Sequence, residues 1–248
     1  MDIDLVLILS AIMGLSILIS YPLVMSRSIT KESSSLLTAF AAGILIFLIA
    51  DIFQTASSTL YNTSLLGYGT NLAYDMIFVF SVAAGFFLLF AFEFRSTLEI
   101  KAMHLSLLIS IGIGLQNLTE GMVFGSQAFS IGLTGVALVV FAGFILQNIT
   151  EGFPIGSPFM GNSTSGRNLV PFFFLIGGVP TIIGGGVGYY FNSPSLDLLF
   201  DGLSIGAIIY VILPMLRIIL SGSGGRMRQY LYVSLFSGFI AGMLVNFI

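Results

Sequence analysis

The chain has no cysteine, no tryptophan, a single histidine, and charge on only 8% of its 248 residues. Without cysteine there is neither a disulfide nor a thiolate metal site, and the redox compartment leaves no trace in the sequence. Without tryptophan, tyrosine must supply most of any aromatic belt at a membrane surface. Charge is the more telling shortage. A soluble domain carries about 25% charged residues, and a soluble fold of this length could not be covered with so few. With 56% hydrophobic residues and a mean hydropathy of +1.06, the composition is that of an integral membrane protein. The 24 Phe and 29 Gly fit it, because glycine lets membrane helices approach closely. The formal net charge of -3 says little, since sidedness matters more than the sum.

Also missing are a basic segment ahead of the first apolar run, alternating strand patterns, a phosphate-binding loop and any stretch left over for a soluble domain. Asp2 and Asp4 precede the first run, which is long for a signal-peptide core and is read as a retained helix. What is present is a series of apolar segments of about 20 residues. They predict an all-α polytopic protein with eight transmembrane helices at about 4–25, 35–56, 74–94, 104–127, 133–157, 168–191, 197–219 and 229–248. All eight basic residues fall on odd-numbered connections. Arg27 and Lys31 follow the first span, Arg95 and Lys101 the third, and Arg167 the fifth, while Arg217, Arg226 and Arg228 lie at or after the end of the seventh. The positive-inside rule makes these connections cytoplasmic and places both termini outside, in a cell membrane. Asp2, Asp4, Asp75 and Asp197 then fall on the outer side.

Against this oily background "LQNLTEG" (115–121) returns as "LQNITEG" (146–152), in consecutive antiparallel spans and near the middle of each. Gln116 and Glu120, like Gln147 and Glu151, are four apart and share a helix face. Asn117 and Asn148 sit one position round and can turn toward the same partner helix. A central charged residue costs about 2.5–3.5 kcal/mol on insertion scales, and no Arg or Lys lies at this depth. The carboxylates must be protonated, face water or meet a cation. Two Glu, two Gln and two Asn make an all-oxygen cage for a divalent cation. Amides that merely glue helices together would explain one polar residue per helix, but explain the duplicated Glu poorly. Gly121 and Gly152 suit close packing, Thr119 and Thr150 suit bonds to their own backbone, and Pro154, Pro158 and Pro180 suit helix breaks or kinks. His104 reads as an interfacial polar residue, with an exit ligand as the alternative.

Eight spans, outside termini and the pair "QNLTEG" and "QNITEG" resemble the Zrt/Irt-like (ZIP) metal transporters, which carry His-Asn-x-x-Glu-Gly-type motifs in helix 4 and a related motif in helix 5. "AFAAGILIFLIAD" (39–51) is similar to that family's Ala-Ala-Gly helix. The resemblance implies an inverted 3+2+3 repeat around helices 4 and 5, with metal passing between that pair and its neighbours as one bundle slides or rocks against the other. "GILIF" (43–47) against "GAIIY" (206–210) is a faint trace of the repeat. Inverted repeats with a central site suit alternating access.

The departures bear on the metal. Gln116 stands where the family offers His, Gln147 fills the matching place in helix 5, and Val179 stands where helix 6 often carries Glu. A single site of Gln116, Asn117, Glu120, Gln147, Asn148 and Glu151 is expected, with Asp51 on span 2 as a ligand on the way in or an interfacial acid. Glu93, beside Arg95, reads as a snorkelling surface charge or an exit group. Zn²⁺ usually takes tetrahedral nitrogen and sulfur ligands, whereas oxygen-only sites favour harder ions such as Mn²⁺ or Mg²⁺. The expected function is transport of a divalent cation of the Zn²⁺, Fe²⁺ or Mn²⁺ class toward the cytoplasm, without a prosthetic group. The alternative is a non-transporting homologue acting as sensor or scaffold. An enzyme is not expected, since the only His lies at the membrane edge. The partners expected are the metal ion and the bilayer, not nucleic acid. Gly238 and Gly242 in "SGFIAG" suit either a homodimer contact or internal packing.

Overall fold

A computed structural model describes residues 2–26, 30–61, 72–95, 102–131, 135–160, 166–191, 193–221 and 225–245. Arg27, Lys101, the Asn-Ser-Thr sequon at 162–164 and the last three residues of the eighth expected span lie outside the described residues, as do the side chains of Glu93 and Arg95. The described residues contain no strand. Eight helices follow one another: α1 (Ile3–Val24), α2 (Lys31–Leu60), α3 (Leu72–Arg95), α4 (Ala102–Ile131), α5 (Gly135–Gly156), α6 (Val170–Tyr190), α7 (Pro194–Ser221) and α8 (Arg226–Val245). Among the described residues six of them, α1 to α4, α6 and α7, are long and apolar enough to cross a membrane, as in a multi-pass membrane protein.

Each expected span falls on one helix, with ends displaced by polar chemistry. The helix α2 outruns its apolar stretch at both ends. Thr30 caps it by accepting from the Ser33 amide at 3.2 Å. Beyond Asp51, the hydroxyls of Thr55, Ser57 and Ser58 bond back to carbonyls three or four residues earlier, so the helix continues though its apolarity does not. Two breaks mark the helices, of which the one at Pro158 was expected. First, α1 tightens into a 3-10 stretch at Ser16–Ser20 ahead of Pro22, where the Ser16 hydroxyl reaches Ile145 O of α5 at 3.2 Å. Second, α5 gives way after Gly156 to a 3-10 turn at Ser157–Phe159 containing Pro158. The polar motif (146–152) lies just past the middle of the described helix. Pro154 and Pro180 stay inside helices.

Glycine decides how the helices group. A Cβ on Gly114, Gly121 or Gly125 of α4 would land on the α6 backbone, and one on Gly184 or Gly188 of α6 on the α4 backbone. Gly14 of α1 and Gly178 of α6 each face the other's carbonyl, and Gly152 and Gly156 of α5 press on Ser20 and Val24 of α1. These contacts join α1, α4, α5 and α6. A second set joins α3 to α7 and α2 to α8. The α2 and α7 helices pack on each other and complete the second bundle. Gly238 and Gly242 thus serve internal packing against Phe40 and Phe47 of α2.

The second set repeats itself. Gly43 faces Leu235 O and Gly238 faces Phe40 O; Gly206 faces Val82 O and Gly85 faces Leu203 O. The same spacing of three links the paired positions on all four helices, with α2 and α8 answering to α7 and α3. Two contacts between the bundles are of ordinary length. A Cβ at Gly112 of α4 would lie 3.5 Å from Ala207 Cβ of α7, and the rings of Phe40 and Phe153 meet edge-on at 6.3 Å.

Inside a bundle, then, backbones interlock, whereas side chains cushion the interface between bundles. Gly184→Ala should cost about 1–3 kcal/mol, because the Leu118 carbonyl it would strike is backbone and cannot turn aside. Gly112→Ala should be neutral or gain up to about 1 kcal/mol from helix propensity. Unfolding of the purified protein in detergent compares the two, and equal losses would contradict the distinction.

Candidate functional site

The repeated motifs meet where α4 passes α5. All six of their amide and carboxylate side chains are buried, with Glu151 fully enclosed and Glu120 8% exposed. The Asn pair forms a bridge: Asn117 Nδ2 donates to Asn148 Oδ1 at 2.8 Å and to Gly177 O of α6 at 3.0 Å. Asn148 Nδ2 donates to Phe144 O of its own helix at 2.9 Å. One side chain thus ties three helices together. The expected backbone bonds of the threonines are present, Thr119 Oγ1 to Leu115 O at 3.3 Å and Thr150 Oγ1 to Gln147 O at 2.7 Å.

The glutamines surround the carboxylates with donors. Gln116 Nε2 donates to Glu120 Oε1 at 2.7 Å, and Gln147 Nε2 donates to both Glu120 Oε1 and Glu151 Oε1. This revises the expected all-oxygen cage. The amide groups present N–H to one oxygen of each carboxylate, and the buried acids are held first by hydrogen bonds. Four oxygens are left over: Glu120 Oε2, Glu151 Oε2, Gln116 Oε1 and Asn117 Oδ1 are buried with no hydrogen-bond partner. Leaving such groups unmade costs about 1–3 kcal/mol each, more for charged ones. A half-turn of a Gln amide exchanges oxygen for N–H₂ in nearly the same volume, so the same side chains can hold the carboxylates or turn oxygen toward a cation.

Other expected residues fall unevenly. Asp51 on α2 is half-buried and interacts electrostatically with both Glu120 and Glu151. His104 is buried near the start of α4, not exposed at an interface. Val179 lies on the exposed side of α6, 36% exposed, and the residue α6 gives to the site is instead Gly177, through its carbonyl. Among the described residues no three His, Asp or Glu side chains gather closely enough to hold a metal by themselves, so any cation here needs the neutral oxygens too.

One site neighbour escaped the sequence reading. Asp201 of α7 is buried, in hydrogen-bonding contact with Thr119, and interacts electrostatically with Glu120 and Asp51. It had a signal in the sequence: with Asp197 it makes a pair of acids one helical turn apart in the otherwise largely apolar run "LDLLFDGLSIG" (196–206). No protein-family model matches the chain, and no curated protein matches it either.

Because Asn117 serves two neighbours and Asn148 one of them, the two should differ on removal. Asn148→Leu should cost about 0.6–2 kcal/mol, and Asn117→Leu more, because it also strips Gly177 O of its donor. Unfolding in mixed micelles reads both, and a smaller loss for Asn117→Leu would refute the bridge.

Proposed function

We propose that the chain carries a divalent metal cation across the membrane toward the cytoplasm, as a divergent member of the Zrt/Irt-like family. The observation that carries this reading is the set of partnerless oxygens on Glu120, Glu151, Gln116 and Asn117, buried among apolar helices. Burying carboxylates is costly unless a cation or strong hydrogen bonds offset it. Amide donors cover one oxygen of each and leave the other for a cation.

The site's position supports movement of that cation. Its walls come from both bundles, α4 and α5 on one side and Asp51 and Asp201 on the other. Interlocked backbones within each bundle and cushioned contacts between them suit displacement of one rigid unit past the other, the usual basis of alternating access. The mirrored glycine contacts of α2–α8 and α7–α3 support the inverted 3+2+3 repeat. All eight helices then span the bilayer with both termini outside. Two contacts support one shared cytoplasmic end for the first and fifth connections: Arg167 donates to Met25 O, and Ser34 Oγ donates to Met160 O at 2.5 Å.

Without imidazole or thiolate, the preference shifts from Zn²⁺ toward harder ions such as Mn²⁺. The sensor or scaffold reading draws on the amide donors that stabilise the carboxylates where they stand; it requires binding without flux. Proteoliposomes decide between them. Mn²⁺ uptake should exceed Zn²⁺ uptake and fall to the level of empty liposomes in Glu120→Gln/Glu151→Gln. Flux unchanged in the double variant would rule out this pathway, and binding without flux in the unaltered chain would favour the sensor. The cysteine-free sequence also permits a topology test. Asp4→Cys should react with an impermeant maleimide added to intact cells, and Lys31→Cys only after permeabilisation; the reverse would invert the transport direction.

A further inference from the structure

The register of α4 on α7 places an unexpected set of oxygens face to face. These helices run antiparallel. Gly112 lies against Ala207 and Ile208, and Thr119 contacts Asp201. Between these two fixed points, Gln116 on α4 and Ser204 on α7 come level. Positions 112, 116 and 119 recur at the spacing of one helix face, as do 201, 204 and 208, so each residue looks toward the other helix. Ser204 is fully buried, its Oγ has no hydrogen-bond partner, and the same is true of Gln116 Oε1. A buried hydroxyl is normally partnered, and this one has Ser204's own helix behind it and a second orphaned oxygen level with it. One turn outward stand Asp201 and, across from it, Glu120, whose Oε2 is likewise without a partner.

We propose that Asp201 and Ser204 of α7, with Gln116 and Glu120 of α4, form a second divalent-cation subsite on the α7 flank of the α4–α5 site. It rests on the reading of Glu120 and Glu151 as cation ligands. Gln116 and Glu120 are shared between the two positions, Glu151 belongs to the first alone, and Asp201 and Ser204 belong to the second alone. The donor set is again all oxygen, two carboxylates with an amide and a hydroxyl, which suits a hard divalent ion. The subsite draws its ligands from both bundles, whereas the first position draws its motif ligands from α4 and α5. Asp197, one turn outward from Asp201 on α7 and electrostatically coupled to it, extends the acidic track toward the outer end of that helix. A cation delivered along α7 reaches Asp201 and Ser204 before Glu120 passes it to Glu151.

Calorimetric titration of the full chain in nanodiscs with Mn²⁺ tests the proposal. The unaltered protein should show two binding events. Glu151→Gln should lose one and keep the other. Asp201→Asn, which preserves shape and can still hydrogen-bond with Thr119, should lose the event that Glu151→Gln keeps, and Ser204→Ala should weaken that same event at least about tenfold, equivalent to about 1.4 kcal/mol. Thermal unfolding of each variant without metal, unchanged from the parent, excludes a folding defect; a misfolded Asp201→Asn is replaced in the comparison by Ser204→Ala. Two events persisting in both Asp201→Asn and Ser204→Ala would overturn the subsite while leaving the α4–α5 site intact. A single event abolished by Glu151→Gln would also overturn it. No binding by the unaltered chain, or binding indifferent to Glu151→Gln, would overturn the α4–α5 reading itself.

Discussion

Two carboxylates enclosed by apolar helices are the constraint on which the rest of this molecule turns. Glu120 and Glu151 are buried, and among the described residues no basic side chain pairs with them. Each must find its partners in the neighbouring helices, which forces polar side chains into those helices at matching heights. Gln116 and Gln147 meet the need by donating to the carboxylates, and Asn117 secures the level of α5 and α6 against α4. The arrangement satisfies one oxygen of each acid and leaves the other without a partner. A purely structural network gains by closing every bond, and this one leaves those oxygens open.

The glycines supply the complementary constraint. In a membrane there is little hydrophobic drive between helices, so association depends on close backbone approach. Here none of the described glycine-to-carbonyl contacts crosses from one bundle to the other. The acids sit at the boundary. Glu120 belongs to the first bundle and Asp51 and Asp201 to the second, and their mutual interaction spans the cushioned interface. The position of the charge and the position of the slack coincide. A relative shift of the bundles would change the ligands that Glu120 sees while leaving each bundle's packing undisturbed.

Much of this was legible in the sequence. Eight apolar runs became eight helices, because long apolar stretches favour helix, while polar groups set where the ends fall. The duplicated Gln-Asn-x-Thr-Glu-Gly motif marked the site, because carboxylates in such surroundings demand a physical reason. Less legible were the features set by contact across helices. The donors of Gln116 and Gln147 turn toward the carboxylates because the acids lie within reach from both sides, which spacing along one helix does not reveal. Val179 fills the expected motif place but faces outward, because the helices packed against α6 set which of its residues look inward. Asp201 escaped notice in the sequence because its place along α7 says nothing of its neighbour Thr119.

The sequence by itself determined the all-helical class, the helix positions and the identity of the two central acids, because these follow from local periodicity and from the cost of burying charge. Only the tertiary structure decided how the helices divide into two bundles, which glycine meets which carbonyl, and that α7 brings Asp201 and Ser204 to the flank of the α4–α5 pair. Those outcomes depend on the register between helices distant in the chain. A rotation of about 100°, one residue on a helix, moves a side chain from the site to the lipid, and nothing in a single helix's sequence records which rotation its neighbours impose.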